Sequence, residues 1–385
     1  MNLFASGSNA HGQLSNGSVE DSHSFARCSF VETVELDDCK ILNIACGANH
    51  TLLLLEHRRT GQTELLGSGD GAAGQLGSEG SSLIFKPIRL PQEYCCRLIS
   101  AAWQTSYVVL SCKGKADLLI SMGADDFGDL GTGRVKNKEQ GFHYVKFDHL
   151  FGEPCPVISV ESLSSGPRHV IATLNAVFAD GSTQCLTVGW GASRHGQLGQ
   201  IDSSIVSAPR IVSHVDGITS AALGSQHTVL LHASGRVLGM GSNRKGQLQG
   251  IQRAHDVRDV CCTWNGTYTV LDDHNVTATG SNNKGQLGRP ITDSLEPGPV
   301  QFPFVPKTRR LIRIACGSEH ILVLFLLHET SAKEVWGWGW NEHGNMGTGS
   351  IDDVVVPVRI WPQDNDAYEA VNVWAGAGTS WIETK

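Results

Sequence analysis

The segment Gly280-Ser-Asn-Asn-Lys-Gly285-Gln-Leu-Gly288 sets a polar loop between two glycines and places a leucine just beyond it. Glycine reaches positive φ at no steric cost, so the pattern is a tight turn, and the leucine returns the chain to a core. The pattern occurs seven times, at 7–14, 69–77, 123–131, 191–199, 241–248, 280–288 and 339–347. Its second glycine is in turn Gly12, Gly74, Gly128, Gly196, Gly246, Gly285 and Gly344. A second segment follows each copy: an apolar run, a small-residue turn and another apolar run, as in Ile44-Ala-Cys-Gly-Ala-Asn-His50-Thr-Leu-Leu53.

Short β-branched and leucine-rich runs bounded by glycine read as buried strands, about four to each unit. One such sheet cannot bury both of its faces. Seven packed around an axis can, and the ring leaves only short protected edges. The chain opens on the first segment and ends on the second, so the terminal strands are predicted to share a blade and close the ring. The sequence therefore predicts an all-β, seven-bladed β-propeller, with residues 1–385 as a single domain. This overrides the two or three domains expected at roughly 150 residues each. The long connections at about 132–156 and 289–308 are expected to be surface loops.

The 44 glycines fit a chain full of turns, and a net charge of -8 argues against gripping a nucleic-acid backbone through the body as a whole. The 11 cysteines include no Cys-x-x-Cys. The adjacent pairs Cys95–Cys96 and Cys261–Cys262 are too close for ordinary disulfide geometry. They read as reduced core residues of an intracellular protein, cytoplasmic with the nucleus as a second site. The opening Met1-Asn-Leu-Phe-Ala-Ser-Gly7 lacks the pattern of a signal peptide, and the apolar run Ile321–Leu327 is too short to cross a bilayer. No cofactor, membrane or direct nucleic-acid contact is expected.

Tests for chemistry return structural readings. Gly69-Asp-Gly-Ala-Ala-Gly74 matches a dinucleotide fingerprint, but Gln-Leu-Gly follows it instead of a helix, in register with the other repeats. No nucleophile elbow and no His-Glu-x-x-His is present. His50, His169, His227 and His320 recur at the start of a strand and are expected to hydrogen-bond backbone within their own blades rather than share a metal. No catalytic residue and no metal ligand is assigned. Trp103 and Trp264 are read as replacing the turn glycine, where an exposed aromatic suits a protein interface; the alternative is that they fill space beside small neighbours. Trp336 and Trp338 are expected on alternate faces of one strand, one or both buried between blades. Asp125, Asp126 and Asp129 are expected to form a solvated acidic turn, with docking of a basic partner as the alternative.

The alternation of Gly-x-Asn-x-x-Gly-Gln-Leu-Gly with Ala-Cys-Gly-x-x-His-Thr resembles the regulator-of-chromosome-condensation repeat along the whole chain. No tryptophan precedes an aspartate and no Gly-Gly pair occurs, so the signatures of WD and kelch propellers are missing. Gly317-Ser-Glu-His320, the run from Trp336 to Asn345, and Gly378-Thr-Ser-Trp-Ile382 resemble the fungal alpha-tubulin-suppressor, or killer-toxin-insensitivity, family. That family also sets tryptophans in its second and fifth turns. This chain departs from it by the additional Trp340-Asn341 and by longer loops. The resemblance implies a non-enzymatic heterodimer with a small four-cysteine protein that binds zinc or iron. The pair would support diphthamide synthesis and Elongator-dependent modification of the tRNA wobble uridine, with Elongator as a further partner. The candidate partner-binding residues are Trp103, Trp264, Trp340, Glu319, Glu342 and His343. The alternative function is guanine-nucleotide exchange on a small GTPase, the activity of the founding family member. That needs carboxylates and a wedge on one face, and no wedge is recognisable in the sequence.

Overall fold

The computed structural model describes the chain apart from residues 78–79, 92, 137–140, 153–154, 292–295 and 364–367. Parts of both long connections therefore lie outside the described residues. Seven antiparallel sheets are arranged as blades around an axis, six of four strands and one of three. In blade 1 the order from the axis outward is Cys39–Cys46, His50–His57, Thr63–Gly69 and Ser82–Pro87. Blades 2 to 6 begin with the inner strands Cys95–Ala101, Val157–Ser165, Ile218–Leu223, Val257–Thr263 and Arg309–Cys316. Blade 7 takes its two inner strands, Ala370–Ala375 and Thr379–Thr384, from one end of the chain and its two outer strands, Asn2–Gly7 and Ser22–Arg27, from the other. Asn2 pairs with Thr384 and Gly7 with Thr379, so the ring is closed by a full antiparallel ladder, as the sequence predicts. Blade 4 departs from the four-strand unit. A short 3-10 turn, Ile251–Arg253, follows its third strand and buries Ile251 against that strand's Gly239. Among the described residues, no helix is long and apolar enough to cross a membrane.

The core lies in the seams between blades. Along His50–His57 the side chains alternate. Leu53 and Leu55 pack with Leu3, Ala5 and Trp381 of blade 7, while Leu52 and Leu54 pack with Val108, Leu110 and Ile120 of blade 2. A strand buried on both faces is apolar at every position, which is why the run reads Leu-Leu-Leu-Leu. The same period of two corrects the reading of Trp336 and Trp338. Two residues apart, they share one face and meet Tyr268, Phe302 and Phe304 in the seam with blade 5.

The four repeat histidines also bind across seams, not within their own blades. His50 Nε2 lies 2.9 Å from Ser106 Oγ of blade 2, and that hydroxyl donates at 2.8 Å to the carbonyl of Gln75 in blade 1. His169 makes the same contact with Thr228 at 2.9 Å, whose hydroxyl donates to Gln197 O at 2.8 Å. His227 meets Thr267 at 3.1 Å, and His320 meets the Thr379 carbonyl at 3.2 Å. Because the Ser106 and Thr228 hydroxyl protons are already committed to carbonyls, the imidazole Nε2 must donate. Nδ1 is then bare, and in all four rings it is buried with no partner. Each ring also fills the space where a Cβ on the preceding turn glycine would stand, as at Gly47, Gly224 and Gly317.

Burial holds these imidazoles neutral, lowering His50, His227 and His320 to about 4 and His169 to about 3. In the unfolded chain a histidine takes up a proton near pH 6.5. The folded values are depressed, so the stability is complete above about pH 6.5 and is lost as pH falls towards 4, by about 1.4 kcal/mol per pH unit for each ring. The urea midpoint, followed by tryptophan fluorescence, is therefore expected to fall steeply across that window. A His50→Asn, His227→Asn double variant should be weaker at neutral pH but have a shallower slope. An unchanged slope would contradict the assignment.

Candidate interaction face

Within each blade the turn after the first strand and the loop after the third strand lie at the same end of the sheet. The first motif glycine joins them. Its φ lies between +95° and +122° in all seven copies, and a Cβ there would strike a carbonyl of the turn, such as that of Asn49 at Gly69 or Gln104 at Gly123. The N–H of the next residue donates to that same carbonyl: Asp70 to Asn49 at 2.7 Å, Ala192 to Arg168 at 2.7 Å, Trp340 to Glu319 at 2.9 Å. One face of the ring is thus assembled from seven turns, each tied to a motif loop.

The rest of the motif organises its own loop. The motif asparagine accepts from the leucine N–H five residues on, as Asn9 from Leu14 at 2.9 Å and Asn282 from Leu287 at 2.9 Å. The glutamine Oε1 accepts from the N–H two residues back, as Gln197 from His195 at 2.9 Å. Asp125 and Asp129 take over these two roles in blade 2, accepting from Leu130 at 3.2 Å and Phe127 at 2.7 Å. Both are buried and only Asp126 is exposed, which corrects the reading of a solvated acidic turn.

At the centre of the face the seven inner strands enclose a channel of about 340 Å³. Among the described residues no Asp, Glu, His, Lys or Arg lines it, and its titratable groups are cysteine thiols. Burial pushes the lining thiols Cys46 (to about 11) and Cys316 up, away from thiolate character. Over its mouth, Trp103 of blade 2 and Trp264 of blade 5 meet, with ring centroids 5.6 Å apart at 52°. Trp103 is 38% exposed and Trp264 half-buried. Neither replaces the turn glycine. The second strands of their blades begin at Thr105 and Gly266, so the glycine position is held by Ala102 and Thr263, and each tryptophan stands one residue later, in the place of Ala48 or Ser318. Both are fixed by backbone bonds to neighbouring blades. Trp103 N donates to Pro167 O at 2.8 Å and its carbonyl accepts from Ala48. Trp264 N donates to Ser318 O at 2.7 Å and its carbonyl accepts from Ser225.

The other sequence-predicted residues fall on the same face. Glu319 follows Ser318, and its carboxylate accepts from Asn265 at 2.6 Å and Gln286 at 3.1 Å. Burial raises it above the usual carboxylate range. With both oxygens committed, it positions the turn that carries Trp264. Trp340 donates to Glu342 at 3.1 Å and packs edge-on to His343 at 5.2 Å, and His343 Nδ1 lies 2.6 Å from Asp21 of blade 7. Sequence reasoning missed Arg168, whose guanidinium lies 4.5 Å over Phe127 of the neighbouring loop. Their place at a turn and a motif tip was the available signal.

Away from this face, Cys39 Sγ lies 3.5 Å from His57 Nδ1, and His57 Nε2 lies 3.3 Å from Glu64. The order resembles a thiol triad. Cys39 is fully buried and its thiol is raised by burial, so it is a packed donor and not a nucleophile. Among the described residues, no three His, Cys, Asp or Glu side chains converge as a metal site.

Models of the regulator of chromosome condensation (RCC1) repeat match residues 189–231, 218–247, 273–324 and 334–381. The chain is a seven-bladed propeller that carries RCC1 repeats in these segments. It is 25% identical over 398 residues to the ultraviolet-B receptor UVR8 of Arabidopsis thaliana, covering 96% of this chain and 81% of that one. It is 27% identical over 421 residues to the secretion-regulating guanine nucleotide exchange factor of Mus musculus, covering 98% and 82%. Among solved structures, Prp20p of Saccharomyces cerevisiae superposes with a TM-score of 0.76 at 17% identity, over 100% of this chain and 91% of that one. At that identity the likeness concerns the fold.

Burial raises Asp129 to about 6, against roughly 3.9 when unfolded. A raised folded value means its contribution is lost as pH rises through 6, so the carboxylate costs stability at pH 8. Blade 6 carries Asn345 at this position. Asp129→Asn is expected to stabilise the propeller by about 1 kcal/mol at pH 8 and by less at pH 5, measured by urea unfolding. Equal effects at the two pH values would contradict the raised value.

Proposed function

We propose that this chain is a non-enzymatic interaction propeller whose tryptophan face binds a small four-cysteine metal-binding protein, the pair supporting diphthamide synthesis and Elongator-dependent tRNA modification. The observation that carries the interaction reading is the Trp103–Trp264 pair, held across the channel mouth by two blades and still open to solvent. Large aromatic side chains at the centre of a face, fixed by their backbones and surrounded by polar loops, are what binding hot spots are made of. Trp340, Glu342 and His343 extend the same face towards blade 7. The choice of partner rests on the resemblance of the segments around Glu319, Trp336–Asn345 and Trp381 to the alpha-tubulin-suppressor family.

Affinity capture with the full chain, followed by mass spectrometry, is expected to recover a small four-cysteine protein. Trp103→Ala and Trp264→Ala should each cost about 2 kcal/mol of binding, or about thirtyfold in Kd, while leaving the urea midpoint near that of the parent. Undiminished affinity in both variants would remove the pair as anchors. Recovery of a small GTPase stripped of nucleotide would replace the partner assignment with exchange activity.

A further inference from the structure

The tips of the seven motif loops, the fourth and fifth residues of each copy, change around the ring. They are Ala10-His11, Ala72-Ala73, Asp126-Phe127, Arg194-His195, Arg244-Lys245, Asn283-Lys284 and Glu342-His343. Positive charge is confined to blades 3, 4 and 5, in a chain whose net charge is -8. Arg194, Arg244 and Lys245 are exposed. Lys284 is paired with Asp353 at 3.1 Å, whereas no ion pair engages Arg194, Arg244 or Lys245 among the described residues. The loops abut, since Gly241 of blade 4 packs on Gln197 of blade 3. The fields of Arg194 and Arg244, after burial, help hold the His195 imidazole below its usual range, so three cationic or protonatable groups crowd one sector. This sector joins the tryptophan pair through the backbone: Ser242 N bonds Gln226 O, and Ser225 N bonds Trp264 O. On the other side Trp103 N bonds Pro167 O, the residue before the exposed Arg168. The flanking blades 2 and 6 carry carboxylates, with Asp126 and Glu342 exposed at their tips.

We propose that the blade 3–5 sector of this face docks an acidic protein segment, with Arg194, Arg244 and Lys245 meeting its carboxylates and the Trp103–Trp264 pair taking an apolar side chain beside them. The proposal rests on the interaction reading above and adds the chemistry of the partner. A protein segment fits better than a nucleic acid. Phosphate binding grows with the number of charges neutralised, three free cations supply few, and carboxylates on the same face would repel a long polyanion. An acidic segment needs only a local cluster, which sets its orientation and speeds encounter.

The test is fluorescence anisotropy with the full chain and two labelled probes, a short Asp/Glu-rich peptide containing one phenylalanine and a single-stranded RNA of similar charge. The peptide should bind, weaken as salt is raised, and lose about tenfold or more in affinity on the triple change Arg194→Glu, Arg244→Glu, Lys245→Glu. The milder Arg194→Gln, Arg244→Gln, Lys245→Gln variant should fall in between, with an unchanged urea midpoint. The absence of peptide binding by the unaltered chain, equal affinity of the charge variants, or binding of the RNA alone would each overturn the proposal. If the captured partner is lost with Trp103→Ala and Trp264→Ala but kept by the charge variants, the tryptophan reading stands and this one falls.

Discussion

The fold depends on polar groups that are satisfied only by the next blade. The hydroxyl of Thr51 in blade 1 donates to the carbonyl of Gln13 in blade 7, Ser106 to Gln75, Thr228 to Gln197, and Thr279 to Gly246. Each acceptor lies in a motif loop and each donor in the following blade. A blade taken alone would leave these groups without protein partners at the very edges that the apolar seams bury, and such orphans are costly. The ring is therefore a circle of obligations with no natural end. It is completed in blade 7, where the two ends of the chain form one sheet.

The turn glycine and the histidine form a coupled pair within this single sequence. Where the second strand begins with histidine, in blades 1, 3, 4 and 6, the imidazole occupies the space over Gly47, Gly166, Gly224 and Gly317. Where it begins with Thr105 or Gly266, no ring is there, and Ala102 and Thr263 stand at the glycine position. Blade 7 also lacks the histidine, since its second strand begins with Thr379, but it keeps Gly376 and Ala377; the two blades that lose both histidine and glycine are the two that carry tryptophan at the following residue. They stand three blades apart, close to opposite in a ring of seven, so side chains pointing inward from them can meet over the axis. Departure from the repeat and candidate function coincide at the same positions, as expected when a local rule is relaxed for a site.

The blade count, the shared closing blade and the repeated positive-φ glycine were legible because they follow from a period and from sterics, both of which a linear sequence carries. The differences have separate causes, and the widest concerns partners outside the repeat unit. The repeat alone points the histidines to backbone of their own blades, yet their partners lie some 40 to 60 residues away in the next. Asp125 and Asp129 read as surface charge because aspartate is normally solvated, whereas aligning them with the motif Asn and Gln would have shown two buried acceptors. Trp103 and Trp264 lie one residue beyond the glycine position, which only the start of the second strand, at Thr105 and Gly266, fixes. All six candidate residues nevertheless reach one face, because turns after the first strand and loops after the third strand must end at the same side of an antiparallel blade.

The same geometry explains how one fold can serve relatives with names as different as a light receptor and an exchange factor. Glycine, Asn, Gln and Leu of the motif are fixed by backbone conformation, by two internal hydrogen bonds and by burial. The fourth and fifth residues of each copy meet none of these constraints: in this chain they range from Ala72-Ala73 to Arg244-Lys245 without disturbing the loop. Seven such pairs and seven turn residues surround a channel lined by no Asp, Glu, His, Lys or Arg among the described residues, so the scaffold does not dictate a chemistry and the rim is free to select a partner. What distinguishes this propeller must then be written in the rim, where two indoles meet at the centre and charge is divided between sectors.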